Sequence, residues 1–155
     1  MGILIPANAP FDILSSYTDS TNPGRVVSIT IKLHSNHETI TIINTYAPVT
    51  RAERTTFINK LKVHGDNVIW GGDHNVVLDP LVDKISLSPN SKTDSPDSLA
   101  IRCKIAEEGL CDIWRATYPN KRTLTYVRKV AKEDGSHKFT GSRLDYFLVS
   151  GKIRS

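Results

Sequence analysis

Residues 68–75 have the sequence Val-Ile-Trp-Gly-Gly-Asp-His-Asn. A short apolar run followed by glycines is typical of a buried β-strand, and glycine lets the backbone leave the sheet and approach another group closely. If the extended geometry continues, Asp73 and Asn75 point to one side and His74 to the other. A carboxylate and an amide presented together can take a proton from water and fix its orientation. The alternative is an Asx-rich turn with no chemical role.

The composition bounds the class of protein. The 155 residues are enough for one domain with a core, and 39% hydrophobic and 23% charged residues are ordinary values for a globular protein. No apolar run is long enough to cross a bilayer, and the start lacks the basic region of a signal peptide, so we expect no membrane association. Two cysteines, Cys103 and Cys111, are too few for a disulfide framework. They favour a reducing, intracellular compartment, and we interpret both as small core residues.

Positive charge is concentrated near the C-terminal end of the sequence. The net charge is +4, and residues 115–155 contain ten Lys or Arg against three Asp or Glu. Such a region suits a polyanionic partner such as nucleic acid. A positively charged face that is simply solvated is the alternative.

The hydrophobic pattern predicts short strands with two helices between them, an α+β (α/β sandwich) domain covering residues 1–155. Loops are predicted at 79–98, as a long surface loop, and at 128–141, as a basic hairpin loop. We interpret the His-x-x-His spacing at 34–37 as a hairpin turn rather than a metal site. Strands are predicted at 2–5, 11–14, 25–33, 38–46, within 68–75, at 123–127 and at 142–150, and helices at 50–62 and 96–109.

Several side chains carry specific expectations. Thr50 and Glu53 form the pattern of a capping box before a helix whose buried stripe is Phe57, Ile58 and Leu61. In the second helix, Leu99, Cys103 and Ala106 are expected to share the buried face. Tyr46 follows Asn44 on one face of its strand and is expected at a site, with a core or edge position as the alternative. Asp145 is expected inside the last strand, where a carboxylate needs a partner.

Four segments together resemble the endonuclease/exonuclease/phosphatase superfamily, and their amino-acid sequences are most similar to the endonuclease domain of LINE-type non-LTR retrotransposons. Each segment is weak alone, and the resemblance depends on their order along most of the chain. They are Ile43-Asn44-Thr45-Tyr46-Ala47-Pro48, Gly71-Gly72-Asp73-His74-Asn75, Leu110-Cys111-Asp112-Ile113-Trp114-Arg115 and Ser142-Arg143-Leu144-Asp145-Tyr146-Phe147-Leu148-Val149-Ser150.

The resemblance implies a four-layered fold with two mixed sheets and flanking helices, and metal-assisted cleavage of a phosphodiester, usually with Mg²⁺. It gives catalytic roles to Asp73, Asn75, Tyr46 and Asp145. Asp73 would activate the water, Asn75 would hold water and phosphate, and Tyr46 would lie against the phosphate. Asp145 would bond a histidine further along. Thr125, Ser142 and Arg143 would contact DNA, with help from the basic 128–138 loop.

The sequence also departs from the family. The family's metal-binding Glu lies in first strands, and its catalytic His in a last segment, that we do not find here, so we expect a partial domain with no metal ligands of its own. His74 stands where the family usually has Phe. We therefore expect weak or absent activity from these residues alone, because losing groups of this kind typically costs about a hundredfold or more each.

Three hypotheses follow from these observations. The first is a Mg²⁺-dependent endonuclease that nicks DNA, within a nuclear polyprotein that also carries a reverse transcriptase. The second is a catalytically dead remnant that only binds nucleic acid through its basic C-terminal quarter. The third is another branch of the superfamily, acting on phospholipid or inositol phosphates, which the wording of the 142–150 segment disfavours.

Overall fold

The computed structural model describes residues 1–86, 95–131 and 135–154, as two β-sheets with flanking helices. This confirms the predicted α+β sandwich, although the smaller sheet is antiparallel throughout rather than mixed. Within the described ranges no helix is both long and apolar enough to cross a bilayer. The elements are β1 (Phe11–Thr18), β2 (Val26–Leu33), β3 (Thr39–Tyr46), α1 (Arg51–Lys60), β4 (Val68–Asp73), β5 (Lys84–Ile85), α2 (Pro96–Glu107), β6 (Leu110–Asp112), α3 (Ile113–Thr117), β7 (Tyr126–Ala131), β8 (His137–Ser142), β9 (Asp145–Ser150) and α4 (Gly151–Arg154).

The larger sheet has six strands in the order β1-β2-β3-β4-β9-β6, and only β3 and β4 run parallel. The predicted β2–β3 hairpin is confirmed, with residues 34–37 forming its turn and His37 at a positive φ of 60°. The parallel pair places the carboxyl ends of β3 and β4 at the same edge of the sheet. The antiparallel β9 begins at that edge, so three strand ends meet there.

The core lies between this sheet and helices α1 and α2. Trp70 is completely buried at its centre, and its indole N–H donates to the Thr45 hydroxyl at 2.9 Å, which satisfies the one polar atom of the ring. The predicted helical stripe is confirmed, since Phe57, Ile58 and Leu61 are all buried. Other members of the cluster are Val26, Ile43, Val68, Ile101, Leu110, Tyr146 and Leu148.

The predicted buried face of the second helix is wrong. Leu99, Cys103 and Ala106 are exposed, whereas Asp97 and Ile101 are buried. The reason is an ion pair between α2 and α1: the Arg54 Nε donates to the Asp97 carboxylate at 2.8 Å, and this pairing turns the 97–101 face inward.

Other local predictions also need correction. Residues 2–5 form no strand, and Leu4 is 99% exposed, because no neighbouring strand pairs with them. Thr50 donates its hydroxyl proton to Glu53 at 2.6 Å instead of accepting from the helix N–H groups. Cys111 is half-buried, so neither cysteine is a fully buried core residue.

The boundaries in the C-terminal half shift by a few residues. The described part of the predicted 79–98 loop contains β5 and the completely buried Asp83, while residues 87–94 lie outside the described ranges. β7 begins at Tyr126, and the predicted 128–141 loop is largely strand, with 132–134 outside the description. The expected 142–150 strand is divided: Ser142 ends β8, and β9 begins only at Asp145.

Candidate active site

Three of the predicted catalytic residues form a row across the edge where the strand ends meet. Tyr46, the last residue of β3, lies beside Asp73, the last residue of β4. On the other side of Asp73 lies Asp145, the first residue of β9. Residues paired in register across neighbouring strands have their side chains on the same face of the sheet. The strand order therefore brings together residues 46, 73 and 145, which are far apart in sequence.

Gly72 permits this arrangement. Its φ of +133° lies in the region that favours glycine, and an added Cβ would overlap the carbonyl oxygen of Thr45 on the neighbouring strand. β4 can therefore remain paired with β3 up to Asp73 only if residue 72 has no side chain.

Asn75 is tied to Asp73. The backbone N–H of Asn75 donates to Asp73 Oδ1 at 2.9 Å, and its side-chain Nδ2 donates to the carbonyl of Ala47 at 2.8 Å. Asn75 has a positive φ of 52°, a conformation that asparagine tolerates better than most residues. The segment is thus an Asx turn in which Asn75 is bonded to both Asp73 and Ala47, and the catalytic role of Asp73 and Asn75 stays a prediction.

The electrostatics of Asp73 suit a proton acceptor. Burial raises the pKa of Asp73 above its ordinary value, and the negative charge of Asp145 adds to that rise, while the Asn75 N–H and the charge of Arg54 oppose it. A carboxylate with a raised pKa binds a proton from water more readily than an ordinary one.

The expectation that Asp145 is buried among apolar residues and needs a partner is wrong. Asp145 is exposed at the very start of β9. Its backbone N–H donates to the Thr125 hydroxyl at 3.1 Å, which holds the main chain but leaves the carboxylate open to solvent. Water therefore solvates this charge, and no buried partner is required.

Tyr46 emerges from the sheet rather than joining the core. It is 42% exposed, and the Arg25 guanidinium lies 5.5 Å from the centre of its ring. The main chains of the two residues are also bonded, because the Tyr46 N–H donates to the Arg25 carbonyl at 2.9 Å. Arg25 thus holds the tyrosine at the edge of the row, where the residue stays partly open to solvent.

Thr125 and Ser142 lie next to Asp145. Thr125 is exposed and accepts from the N–H groups of both Leu144 and Asp145. Its own N–H donates to the Ser142 carbonyl at 3.1 Å, so Thr125 connects the end of β8 in the smaller sheet to the start of β9 in the larger one. Their proximity to the row agrees with the predicted contacts to substrate, which stay a prediction.

Arg143 does not face the surface, so the expectation that it contacts DNA is wrong. It is only 2% exposed and donates to Asp83 through Nε at 2.8 Å and Nη2 at 2.9 Å. It also donates to both carboxylate oxygens of Asp112. Burial alone would lower the pKa of Arg143, but the two carboxylates outweigh burial and raise it, so the guanidinium stays charged.

The sequence did not single out Asp83 or Arg115 as partners in this network. Asp83 also accepts from Arg115. The negative charges of Asp83 and Asp112 are thus balanced by the positive charges of Arg115 and Arg143. Arg115 further donates to the carbonyls of Tyr118, Pro119 and Lys121, which fixes the turn after α3. One available signal was the segment from Asp112 to Arg115, where an acid and a base lie three residues apart.

His74 is buried, in the position where the resemblance places a core-facing Phe. Its Nε2 lies 3.2 Å from the Tyr146 carbonyl, and because a carbonyl only accepts, Nε2 carries the proton. The ring stacks on Tyr146 at 4.1 Å and meets the edge of Trp70 at 5.1 Å. Burial lowers the pKa of His74 to about 4, so the ring is neutral at pH 7.

A divalent cation would need several oxygen or nitrogen ligands close together. Among the described residues no three His, Cys, Asp or Glu side chains lie close enough together to hold a metal ion. Asp73 and Asp145 supply two carboxylates, fewer than a site made from protein groups alone would need. The described residues therefore do not form a metal site by themselves, and no catalytic step through a metal is derived from them.

A basic hairpin projects from the smaller sheet. β7 and β8 pair antiparallel and carry Arg128, Lys129 and Lys138, all exposed. Tyr126 and Phe139 on the same two strands are also more than half exposed. The register places Arg128 and Lys138 on one face of the hairpin and Lys129 and Phe139 on the other. The hairpin ends at Ser142 and Tyr126, just before the segment that leads to Asp145.

No protein-family model matches the chain. A curated relative, the transposon TX1 uncharacterized 149 kDa protein of Xenopus laevis, is 31% identical over an alignment of 142 positions that covers 88% of this chain. The chain spans only 10% of the length of that relative.

Solved structures share the fold. The catalytic domain of APE2 from Xenopus laevis superposes with a TM-score of 0.64 at 20% identity, covering 84% of this chain and 47% of that one. An AP endonuclease from Archaeoglobus fulgidus gives 0.59 at 23% identity, covering 94% and 60%. The endonuclease domain of TRAS1, a telomere-specific non-LTR retrotransposon, gives 0.57 at 14% identity, covering 96% and 58%.

The chain spans about half to three-fifths of these solved relatives. The four sequence segments, the strand order that assembles them and these similarities agree with one another. The chain has the fold of the endonuclease/exonuclease/phosphatase superfamily, and within it resembles the proteins of LINE-type retrotransposons.

Proposed function

We propose that this chain contributes to a metal-dependent DNA endonuclease of a retrotransposon-type protein, which nicks one strand by hydrolysing a phosphodiester. The observation that carries the proposal is the row of Tyr46, Asp73 and Asp145, with Asn75 fixed beside it. The solved structures with this fold include the catalytic domain of APE2, an AP endonuclease and a retrotransposon endonuclease domain, which supports the same class of reaction.

In the proposed reaction Asp73 accepts a proton from the attacking water, because burial raises its pKa and makes it a stronger base than an ordinary carboxylate. Asn75 uses the free groups of its fixed amide to orient the water or a phosphate oxygen. Tyr46 lies close enough along the row to contact the phosphate, and Thr125 and Ser142 contact the backbone beside it. Mg²⁺ would supply stabilisation of the developing negative charge, and its use is inferred from the resemblance alone.

The substrate, the location in the cell and the larger assembly are parts of the same proposal. Duplex DNA fits the exposed basic hairpin next to the row. The similarity to a transposon protein supports a parent polyprotein, for which we propose a reverse transcriptase domain and action in the nucleus. Because the resemblance finds no metal-binding Glu and no catalytic His among these 155 residues, we expect weak nicking from the chain alone.

The test is nicking of supercoiled plasmid in Mg²⁺ by the chain as given, by Asp73→Ala, and by a version extended with family-like segments at both ends. Weak nicking by the chain, strong nicking by the extended version and loss of both in Asp73→Ala would support the proposal. Full activity in Asp73→Ala would contradict it.

A second candidate function is nucleic-acid binding without cleavage. The basic hairpin favours it, because the exposed cations among its described residues need no catalytic site to attract phosphate. Salt-sensitive DNA binding by every version, without nicking by any of them, would favour this alternative over an enzyme.

A further inference from the structure

We propose that Arg143 and Asp83 are positioning residues: they hold the start of β9 so that Asp145 lies in the catalytic row. This inference concerns how the proposed site is assembled and rests on the proposed nuclease function. It also reassigns Arg143, whose sequence context had indicated a contact with DNA.

Asp83 holds Arg143 at three points. Its two carboxylate oxygens accept from the Arg143 side chain, and its backbone carbonyl accepts the Arg143 N–H at 2.9 Å. Asp112, at the end of the edge strand β6, accepts from the opposite side of the same guanidinium. The side chain and the main chain of Arg143 are thus fixed to the residue before β5 and to the end of β6.

The two residues after Arg143 transmit this position to the row. The Leu144 carbonyl accepts from the backbone N–H of His74, the residue that follows Asp73, at 2.9 Å. The N–H groups of Leu144 and Asp145 both donate to the Thr125 hydroxyl. A rotation of residue 143 would therefore disturb the main chain beside both carboxylates of the row.

Geometry, rather than stability alone, accounts for a charged group at this position. A buried ion pair is often no more stabilising than well-packed apolar residues of the same volume, and its best-attested use is to specify one arrangement. A planar guanidinium bound by two carboxylates has a defined orientation, which an apolar side chain would not enforce. Arg54 and Asp97 form a comparable buried pair between α1 and α2, where the arrangement fixed is that of two helices.

The test uses the whole chain and Arg143→Lys, which keeps the charge but cannot form the two-pronged contact with Asp83. Ile101→Val is the matched control, because Ile101 is fully buried in α2 and its truncation destabilises the core without touching residues 143–145. Amide NMR spectra and hydrogen exchange would be recorded for both variants. We expect faster exchange and shifted resonances at Leu144, Asp145 and His74 in Arg143→Lys, and wild-type values at these residues in the control.

The kinetic readout is plasmid nicking per folded molecule in the extended version. Arg143→Lys is expected to lower kcat about tenfold or more while KM changes less than about threefold, since misplacing a reacting group costs the transition state more than binding. Ile101→Val is expected to keep both constants. If Arg143→Lys does not fold, Asp112→Asn serves instead, because it keeps the Asp83 contact and removes one side of the clamp.

The two proposals fail separately. Wild-type exchange and resonances at Leu144 and Asp145 in a folded Arg143→Lys would overturn the positioning role, whatever the activity. Absence of nicking in every version would overturn the proposed function, while the NMR comparison would still decide whether Arg143 sets the position of Asp145.

Discussion

Asp73 and Asp145 lie directly opposite each other on β4 and β9, one half-buried and one exposed. Like charges opposite each other on neighbouring strands repel, and the charge of Asp145 adds to the rise that burial gives the pKa of Asp73. The pair therefore behaves as a base, Asp73, with a charged neighbour that raises its proton affinity.

Removing the neighbouring charge should weaken the base. In Asp145→Asn we expect the pKa of Asp73 to move down toward its ordinary value, though burial keeps part of the rise, because burial is the larger cause. Carboxyl ¹³C NMR titration measures this directly. Asp12→Asn, on the distant strand β1, is the control and should leave the Asp73 titration unchanged.

Neutralising Asp73 should stabilise the fold at neutral pH. A carboxyl whose pKa is higher in the folded chain than in the unfolded chain costs stability once the pH exceeds the unfolded value, and the full cost applies above the folded pKa. Asp73→Asn is therefore expected to unfold at a higher urea concentration than the wild type at pH 7, with the difference vanishing near pH 3. An equal or lower midpoint at pH 7 would contradict the raised pKa.

His74 should make the fold sensitive to mild acid. Its pKa is lowered to about 4 in the folded chain, from an ordinary 6.5, so the unfolded chain binds the extra proton first. The contribution of neutral His74 to the free energy of unfolding is fully present above pH 6.5. It is lost as the pH falls from 6.5 toward 4, by roughly 3 kcal/mol in total. Urea unfolding of the wild type and His74→Phe between pH 4 and pH 8 checks this; the variant should lose most of the slope in that window.

Gly72→Ala should disrupt the edge where the strand ends meet. Both a positive φ and a close approach to Thr45 oppose a side chain there, so we expect a loss of more than about 1 kcal/mol in the free energy of unfolding. Gly24→Ala is a matched control, since Gly24 also has a positive φ, of 73°, but open space around it. Equal losses in the two variants would mean that the close approach to Thr45 contributes nothing.

The basic hairpin should supply the salt dependence of DNA binding. Replacing Lys129 and Lys138 together by Ala is expected to weaken binding to duplex DNA and to reduce the slope of log K against log salt by roughly 0.9 for each phosphate that is no longer neutralised. Fluorescence anisotropy over a series of salt concentrations measures both. The pair Lys60→Ala and Lys62→Ala removes the same charge near α1, away from the row, and should change neither quantity.

Local patterns in the sequence predicted the strands and the helix whose formation depends on residues near one another along the chain. The alternation in β2 and β3 and the apolar stripe of α1 correspond to strands and a helix at nearly the expected residues. The burial of Asp97 instead of Leu99 could not be predicted in this way, because the rotation of α2 is set by Arg54, which lies 43 residues earlier in the chain.

In the candidate site too, the sequence indicated individual residues but not the contacts between residues that are distant in the chain. Resemblance selected Tyr46, Asp73 and Asp145, but their alignment in one row follows from the strand order β3-β4-β9, which no local pattern contains. The resemblance also assigned Arg143 to a contact with DNA. Its carboxylate partners, at positions 83 and 112, lie 60 and 31 residues away, and Asp83 falls in a stretch whose polar composition predicted a surface loop.

Strand β9 is inserted between β4 and β6 rather than added at an edge. During synthesis on the ribosome, residues 39–73 emerge long before residue 145. The edge of β4 that pairs with β9 therefore stays unpaired until β9 has left the exit tunnel. The strands of the larger sheet therefore cannot pair in the order in which they are synthesised. The nascent chain exposes the unpaired backbone N–H and C=O groups of β4, where a chaperone or another nascent chain could bind.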